Sequence, residues 1–429
     1  MWFRNARVPR ILLPDTFKGG DDGTLPLCDI EIENDQIRSV QAASTDPGKD
    51  LDGALVLPGF CDAHVHLDKA HTWNRAPNPS HTFAQALVTL REDKVHWSAL
   101  DLERRADFTL RSAHAHGVRA IRTHVDTWGL ESETSFATLA RLRESWADRL
   151  TLQLVSLCGV EQYAGPDGHH FADLPLAYGA AALGGMPLMS PALDAQLDAL
   201  LTLATERQVG LDLHVDESGD PEAACLRAVA EAVLRHGFPY PVTCGHCCSL
   251  AVQPEAEARA TLDLVAEAGL QIITLPLCNL YLQDRRLPGE ARQTPHWRGL
   301  TLIREMLAHG IPLAAASDNV RDAFHAYGDL DSWEVFVQTV RLGHLDTQYG
   351  EAIALVTQAA ADLMGLPDHG RIGPGARADL VVFPARSWSE ALSRPWAPRR
   401  LLSGTGWREP ALPDYRELEE GAASKRPHR

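Results

Sequence analysis

The sequence predicts an α/β protein in which a (β/α)8 barrel is joined to a small β domain made from both ends of the chain. Three observations support this fold class. The chain has 429 residues, which suits one large α/β domain and a smaller one. Short apolar, β-branched stretches recur eight times, with amphipathic segments between several of them. Strand-like segments flank this recurring pattern at both ends.

The eight predicted barrel strands are short segments rich in apolar and β-branched residues. They cover residues 54–66, 118–126, 150–158, 181–189, 209–217, 241–247, 270–278 and 311–319. Amphipathic segments such as 221–237 and 255–269 lie between strands and predict helices. Eight successive strand–helix units are what a closed (β/α)8 barrel requires.

The two flanks of the chain predict β-hairpins outside the barrel. These are LCDIEIENDQIRSVQ at 27–41 and RIGPGARADLVVFPA at 371–385. The predicted division of the chain is residues 1–57 for the first part of the small β domain, 58–368 for the barrel and 369–429 for the rest of the β domain. From about Arg408 the sequence is polar and spaced by prolines, which predicts an arm or a loose tail.

Composition and charge narrow the class of protein. The net charge of −17 argues against nucleic acid or an anionic membrane as a partner. The first residues lack the apolar stretch of a signal peptide, and no run approaches the ~18 apolar residues of a membrane span, so a cytoplasmic protein is expected. The eight cysteines, including those of CGHCC at 244–248, then predict reduced core thiols rather than disulfides or a zinc knuckle.

Metal-capable side chains fall at the C-terminal ends of four predicted strands. In a (β/α)8 barrel these strand ends converge on one site. His64 and His66 end the first strand and are one residue apart, so both face the same side of it. The others are His214 and nearby Glu217 on the fifth strand, His246 on the sixth and Asp318 on the eighth. Histidine and aspartate in register at four strand ends predict a metal site.

This arrangement resembles the amidohydrolase superfamily over nearly the whole chain. The motifs that carry the resemblance are LPGFCDAHVHLD, HVDE, the histidine of CGHC, SDN and the closing GRIGPGARADLVVF. The segments HVDE, RTHVD, CNLYLQ and RGLTLIREML are most similar to cytosine deaminase and its relatives. The resemblance implies a distorted (β/α)8 TIM barrel, a β-sandwich domain assembled from both termini and a metal-dependent hydrolase.

The resemblance also bears on the number of metal ions. Superfamily members with two metals usually bridge them with a carboxylated lysine on the fourth strand. This chain has no lysine between residues 95 and 424, and its fourth predicted strand has no Asp or Glu as a substitute. One divalent ion per chain, Zn²⁺ or Fe²⁺, is therefore expected. The implied ligands are His64, His66, His214 and Asp318.

The family's chemistry implies a role for each remaining residue of the site. A hydroxide formed at the metal attacks a ring carbon that bears an amino group, and ammonia leaves. Glu217 protonates the ring nitrogen and later the departing amine, and Asp318 takes the proton from water. His246 hydrogen-bonds the hydroxide or the developing tetrahedral centre. The alternative for Glu217 is an ordinary surface carboxylate. The chain is thus predicted to be a deaminase that hydrolyses carbon–nitrogen bonds in cyclic amidines.

The substrate-binding positions differ from those of cytosine deaminase. The glutamine that reads the pyrimidine ring in that enzyme falls near Gly159, with Gln162 close by. Its His-Asp-Asp on the eighth strand corresponds to Ser317, Asp318 and Asn319 here. These changes make cytosine itself doubtful and favour a larger amino-heterocycle, such as a pterin, a purine analogue or an aminotriazine.

Further pocket residues are predicted from position alone. Lys69 directly follows HVHLD, as in several relatives that act on triazines or other rings, and it either holds a ring oxygen or is solvated. His71, Trp73, Asn279 and Gln283 are the other candidates, and the two amides could read a ring edge. Asp68 is expected behind the metal ligands rather than among them.

Two other functions remain open. A related amidohydrolase would remove an alkylamine or open a cyclic amide, and the product distinguishes it from a deaminase. A non-catalytic scaffold is the alternative from another class, but such proteins typically lose metal ligands, and this chain retains the full set together with Glu217. The expected partner is a small heterocyclic substrate. Relatives often assemble, so a homo-oligomer also remains open.

Overall fold

Five strands precede the barrel in the chain. The computed structural model describes residues 1–19, 23–129, 132–286, 289–290 and 293–419. The first five strands are β1 (Trp2–Arg7), β2 (Leu27–Glu33), β3 (Gln36–Ala42), β4 (Lys49–Asp50) and β5 (Leu55–Pro58). β2 and β3 form the hairpin predicted over 27–41. Its turn residues Asn34 and Asp35 have φ angles of 50° and 62°, in the left-handed region that short polar side chains tolerate.

The next eight strands form a parallel barrel. They are β6 (Phe60–Val65), β7 (Val118–Asp126), β8 (Thr151–Leu157), β9 (Ala182–Gly185), β10 (Gly210–Val215), β11 (Val242–His246), β12 (Gln271–Thr274) and β13 (Leu313–Ala315). The strands pair in chain order from β6 to β13. A parallel bridge between Val65 and Asp318 joins the ends of the first and last strands. Each strand lies within one of the eight predicted segments, so the predicted barrel is confirmed.

Helices connect consecutive barrel strands and continue beyond the last one. Two of them, Cys225–His236 and Glu255–Glu267, fall in the segments predicted to be amphipathic helices. The α-helices of the described residues are α1 (Phe83–Asp93), α2 (Ala99–Ala115), α3 (Ser132–Trp146), α4 (Glu161–Ala164), α5 (Gly168–Ala177), α6 (Leu193–Arg207), α7 (Cys225–His236), α8 (Glu255–Glu267), α9 (Pro276–Leu282), α10 (Ile303–Ala308), α11 (Ser332–Gly343), α12 (Tyr349–Ala354), α13 (Gln358–Leu363) and α14 (Trp388–Ser393).

The connection between β6 and β7 holds both α1 and α2, and each begins at a side-chain cap. Thr82 Oγ1 accepts a hydrogen bond from the backbone N–H of Gln85 at 3.3 Å. Ser98 Oγ accepts one from the backbone N–H of Asp101 at 3.3 Å. Such caps satisfy amide groups that the first turn of a helix leaves unpaired. The capped α1 is therefore a defined helix rather than an irregular loop at the C-terminal end of the barrel.

The last three strands return to the strands of the N-terminus. They are β14 (Asp379–Phe383), β15 (Arg400–Ser403) and β16 (Gly406–Arg408). The strand order is β16-β15-β14-β5-β1-β2-β3, with β4 paired to β1, so both termini build one domain as predicted. The prediction of a hairpin over 371–385 is wrong. This segment supplies only β14, which pairs with β5 and β15, because the Gly- and Pro-containing residues before it form a turn.

The cysteines lie in the interior of the protein. All eight belong to the described residues, and each is buried and free, as predicted. Burial raises the pKa of the thiols of Cys28 and Cys158 to about 12, so both are protonated at neutral pH. Across the described part of the chain, no helix is long and apolar enough to cross a membrane.

The residues after β16 form an arm that packs on the barrel as far as residue 419. The guanidinium of Arg321 lies 4.4 Å from the ring centre of Tyr415. The ring centres of Phe108 and Tyr415 are 5.3 Å apart. Glu417 is paired with Arg111 at 2.7 Å. The sequence predicted either an arm or a loose tail for this segment, and its described residues form an arm.

A buried ion pair joins the barrel to the terminal sheet. Arg119 Nε on β7 lies 3.2 Å from Asp379 Oδ1 on β14, and the two side chains are only 4% and 10% exposed. Asp379 also accepts hydrogen bonds from Ser403 Oγ at 2.9 Å and Arg377 Nε at 3.1 Å. One carboxylate thus neutralises and orients groups from both domains.

Replacing Asp379 by alanine is expected to destabilise the protein by about 3–5 kcal/mol, because it leaves the buried Arg119 without its counter-charge. Unfolding midpoints in heat and in denaturant measure the effect. Arg259→Ala is the matched control, since its pair with Glu255 is exposed and its loss is expected to cost less than about 0.5 kcal/mol. Equal midpoints for the two variants would contradict the importance of this contact.

Candidate active site

The four predicted metal ligands meet at the C-terminal end of the barrel. His64 lies in β6 and His66 just after it, His214 lies in β10, and Asp318 follows β13. His214 Nε2 is 3.1 Å from His64 Nε2 and 3.2 Å from His66 Nε2. Asp318 Oδ1 is 3.2 Å from His66 Nε2 and 3.7 Å from His64 Nε2. All four side chains are buried, so their polar atoms converge on one enclosed point.

This donor set fits a divalent cation. Burial, reinforced by the neighbouring histidines and Lys69, holds the pKa of His64, His66 and His214 well below its usual value, so the rings are neutral and offer lone pairs. Within the described residues neither carboxylate oxygen of Asp318 has a hydrogen-bond partner. A buried carboxylate without donors is costly unless a cation neutralises it. Imidazole nitrogens with one carboxylate are ligands that Zn²⁺ and Fe²⁺ both accept.

The backbone at two of these strand ends lies in the left-handed region. The φ angle is 66° at Asp318 and 68° at His246. Residues other than glycine pay roughly 1–3 kcal/mol for such conformations, and proteins tend to concentrate them at functional sites. At Asp318 the conformation is held because its N–H donates to the carbonyl of His64 at 2.9 Å. The barrel therefore imposes the direction in which this carboxylate points.

His246 and Glu217 lie together beside the ligand cluster. His246 Nε2 on β11 is 3.5 Å from Glu217 Oε2, and its Nδ1 is 3.0 Å from Asn279 Oδ1. Burial lowers the pKa of His246 to about 4, so the ring is neutral. Burial, and then the nearby carboxylate of Asp318, raises the pKa of Glu217 well above its usual value, which favours the protonated form. Glu217 is not an ordinary surface carboxylate, since its side chain is only 10% exposed.

A cavity opens directly onto these residues. Its inner end holds the candidate metal ligands His66, His214 and Asp318 together with His246 and Glu217. Apolar and aromatic side chains form the outer walls: Phe83, Leu87 and Leu90 of α1, with Trp128, Leu157, Met186 and Phe324. The rings of Phe83 and Phe324 are 5.7 Å apart, centre to centre, and close one side of the cavity.

An ion pair stands in the cavity wall. Lys69 Nζ donates to Asp126 Oδ1 at 2.9 Å, and Lys94 Nζ lies 3.4 Å from Asp126 Oδ2. The carboxylate of Asp68 lies behind the pair, where it accepts a hydrogen bond from the backbone N–H of Asp126 at 2.7 Å. The sequence left open whether Lys69 is solvated or enclosed at the site. Lys69 is 3% exposed, so it is enclosed.

Two of the eight predicted substrate residues, Lys69 and Asn319, line this cavity. The other six do not line the cavity that the described residues form. They are Gly159, Gln162, His71, Trp73, Asn279 and Gln283. His71 packs on Phe108 with ring centres 4.9 Å apart, outside the cavity. Asn279 instead orients His246, and Gln283 donates to the backbone carbonyl of Glu217 at 3.4 Å. The structure therefore gives these two amides a supporting position.

Sequence reasoning missed the side chains that β7 and α1 contribute. His124 is fully buried between His64, at a ring separation of 4.1 Å, and Asp212, whose Oδ1 is 3.6 Å from His124 Nε2. Asp126 lies two residues further on, in the cavity wall. The spacing of His124 and Asp126 in RTHVD is the same one-residue separation that singled out His64 and His66. The apolar wall from α1 had no comparable signal.

Comparisons with known proteins agree with this site. A model of the Amidohydrolase family matches residues 99–400. Pterin deaminase from Rhizobium rhizogenes (strain K84 / ATCC BAA-868) is 46% identical over 422 residues, which are 97% of this chain and 95% of that protein. N-isopropylammelide isopropyl amidohydrolase from Pseudomonas sp. (strain ADP) is 25% identical over 396 residues, 86% of this chain and 89% of that one.

The fold itself has a solved counterpart. The crystal structure of 5-methylcytosine deaminase from Klebsiella pneumoniae, liganded with 5-fluorocytosine, superposes with a TM-score of 0.82. The match covers 97% of this chain and 100% of that chain at 23% sequence identity. At this identity the likeness shows a shared fold.

Replacing His214 by alanine is expected to remove the bound metal, because the cluster loses the ligand that contacts both His64 and His66. Elemental analysis of the dialysed protein measures the content, with about one divalent ion per chain expected for the wild type. His96→Ala is the matched control, since His96 is exposed and far from the cluster in the chain. Full metal content in the His214 variant would rule out the assigned ligand set.

Proposed function

The chain belongs to the amidohydrolase family, and on that premise we propose that its substrate is a pterin, from which it removes the 2-amino group by hydrolysis. The reaction class is hydrolytic deamination of a cyclic amidine in an N-heterocycle. The observation that carries the substrate is the 46% identity to pterin deaminase over 97% of this chain. Among the rings considered from the sequence, the pterin is thereby preferred to cytosine, purine analogues and triazines.

The proposed reaction exchanges an amino group for oxygen. In a pterin, C2 carries the amino group and lies between N1 and N3–H, and C4 carries an oxo group. The oxygen of water adds to C2, and N1 takes up a proton. The bond from C2 to the amino nitrogen then breaks, and ammonia leaves with the second proton. The products are a 2,4-dioxo ring and ammonia, which balance the pterin and one water.

One divalent ion would be held by His64, His66, His214 and Asp318, whose buried donor atoms converge. When bound, such an ion acts as a Lewis acid and makes water a nucleophile at neutral pH. The choice between Zn²⁺ and Fe²⁺ stays a prediction, because both accept this donor set. Location in the cytoplasm and assembly into a homo-oligomer likewise stay predictions.

The chain's own residues move the protons. Burial and Asp318 raise the pKa of Glu217, which favours its protonated form, and its Oε1 makes no hydrogen bond within the described residues. Glu217 gives its proton to N1, takes the proton of the new hydroxyl group and passes it to the departing amine. Asp318 accepts the proton of water, since neither of its carboxylate oxygens has a hydrogen-bond partner within the described residues. The proton that Asp318 accepts from water then returns to Glu217. Neutral His246 donates from Nδ1 to Asn279 and presents Nε2 as an acceptor for the new hydroxyl group at C2.

The cavity lining suits a flat aromatic ring. Its outer walls are aromatic and aliphatic, and its inner end is polar. A flat aromatic ligand buries both faces against such walls while one edge meets polar groups. The alternative hydrolase, which releases an alkylamine, has support from the 25% identical relative that acts on N-isopropylammelide.

Purified protein is expected to release ammonia from pterin, and Glu217→Gln is expected to lower kcat by about 10²–10⁴-fold, because a glutamine cannot donate and regain the proton. Metal analysis of the variant should match the wild type, since Glu217 is not a ligand. Ammonia, the deaminated ring and any alkylamine are quantified separately. A Glu217 variant with wild-type kcat would contradict the proton-transfer role, and absence of turnover on pterin by metal-loaded wild type would contradict the function.

A further inference from the structure

The ion pair of Lys69 and Asp126 has no part in the proton transfers described above. Both side chains line the same cavity as Glu217 and Asp318, and both are 3% exposed. Buried ion pairs add little net stability, because the desolvation of two charges offsets most of their attraction. A pair placed against the substrate cavity therefore needs another explanation than stability of the fold.

Each member of the pair has unused hydrogen-bonding capacity. An ammonium group has three N–H donors, and among the described residues Lys69 uses one of them, on Asp126 Oδ1 at 2.9 Å. Its Nζ also lies 5.1 Å from the ring centre of Phe324, which is a cavity wall. Asp126 Oδ2 makes no hydrogen bond of normal geometry within the described residues, although Lys94 Nζ is 3.4 Å away.

Both groups are charged despite their burial. Burial alone would lower the pKa of Lys69, but Asp126 and Asp68 outweigh it, and the pKa is raised. Burial alone would raise the pKa of Asp126, but Lys69 and Lys94 outweigh it, and the pKa is lowered. The cavity wall thus presents a charged donor and a charged acceptor side by side.

We propose that Asp126 is a specificity-determining residue that selects the lactam edge of the pterin, with Oδ2 accepting N3–H while Lys69 donates to the neighbouring C4 oxygen. This inference rests on the proposed function and deepens it. A donor beside an acceptor on the protein complements an oxygen beside an N–H on the ring, and charged partners strengthen both bonds. The arrangement leaves N1, on the other side of C2, for Glu217.

The assignment has a consequence for substrate selection. Rings that keep the 2-amino group and the 4-oxo group but carry an alkyl group on N3 place a methyl against Asp126 and lose its hydrogen bond. Asp126 Oδ2 then keeps only its contact with Lys94 Nζ at 3.4 Å and loses the charge-assisted bond to N3–H, which is how polar sites reject analogues. Asp126 would therefore separate pterin from 3-methylpterin, whereas Lys69 contacts the same oxygen in both.

The test compares kcat/KM for pterin and for 3-methylpterin in the wild type and in Asp126→Ala. The wild type is expected to prefer pterin by about 10-fold to 100-fold, the loss expected for a hydrogen bond to a charged acceptor. In Asp126→Ala the preference is expected to fall within about threefold, since the shortened side chain neither bonds N3–H nor clashes with the methyl group. Asp148→Ala is the matched control and should keep the wild-type preference, because Asp148 is 82% exposed and, in the described part of the chain, pairs only with the exposed Arg149.

The outcomes separate the possible failures. If Asp126 only holds Lys69 in place, both substrates lose the same factor in Asp126→Ala, the preference is unchanged, and the inference is overturned. If the alanine variant does not fold, Asp126→Asn preserves the shape, and its preference is expected to fall about tenfold because the acceptor becomes neutral; an unchanged preference again overturns the inference. Wild-type protein inactive on pterin overturns the proposed function and this inference with it.

Discussion

The candidate site depends on the closure of the barrel between its first and last strands. The N–H of Asp318 donates to the carbonyl of His64 at 2.9 Å, so two ligands are neighbours through the backbone before any side chain is placed. One residue earlier, Ser317 donates from its backbone N–H at 3.0 Å and from its hydroxyl to the buried carboxylate of Asp62. These contacts fix the register of β6 against the residues after β13. The spacing of the metal ligands follows from that register.

Burial then divides the polar groups of the cavity into two kinds. A low-dielectric interior disfavours isolated charge, so it lowers the pKa of the three candidate ligand histidines and raises that of Glu217. Lys69 and Asp126 keep their charges because each neutralises the other. In the proposed reaction, proton transfer uses Glu217, whose neutral form burial favours, and substrate recognition uses the pair whose charges are preserved. Burial is the common cause of both the neutral groups and the paired charges.

Much of the fold, and the convergence of the candidate ligands, could be predicted from the sequence, because both depend on local patterns. Apolar stretches locate all eight barrel strands, and the topology of a barrel brings their C-terminal ends together, which places His64, His66, His214 and Asp318 close to one another. The prediction of a hairpin over 371–385 was wrong because β14 pairs with β5 and β15, which lie outside that segment and leave no local signal. The pocket residues were the hardest, because position near a strand end does not tell which side chains reach the cavity from other segments.

Helix α1 supplies an apolar wall of the cavity from a segment that holds none of the candidate metal ligands. Phe83 of α1 packs against Phe324, which lies beyond the last barrel strand, so the aromatic contact spans two segments that are far apart in the chain. Leu87 and Leu90 continue the same wall along the helix. Substitutions along 83–93 therefore change the shape that the cavity offers to a ring while the polar groups at its inner end stay as they are.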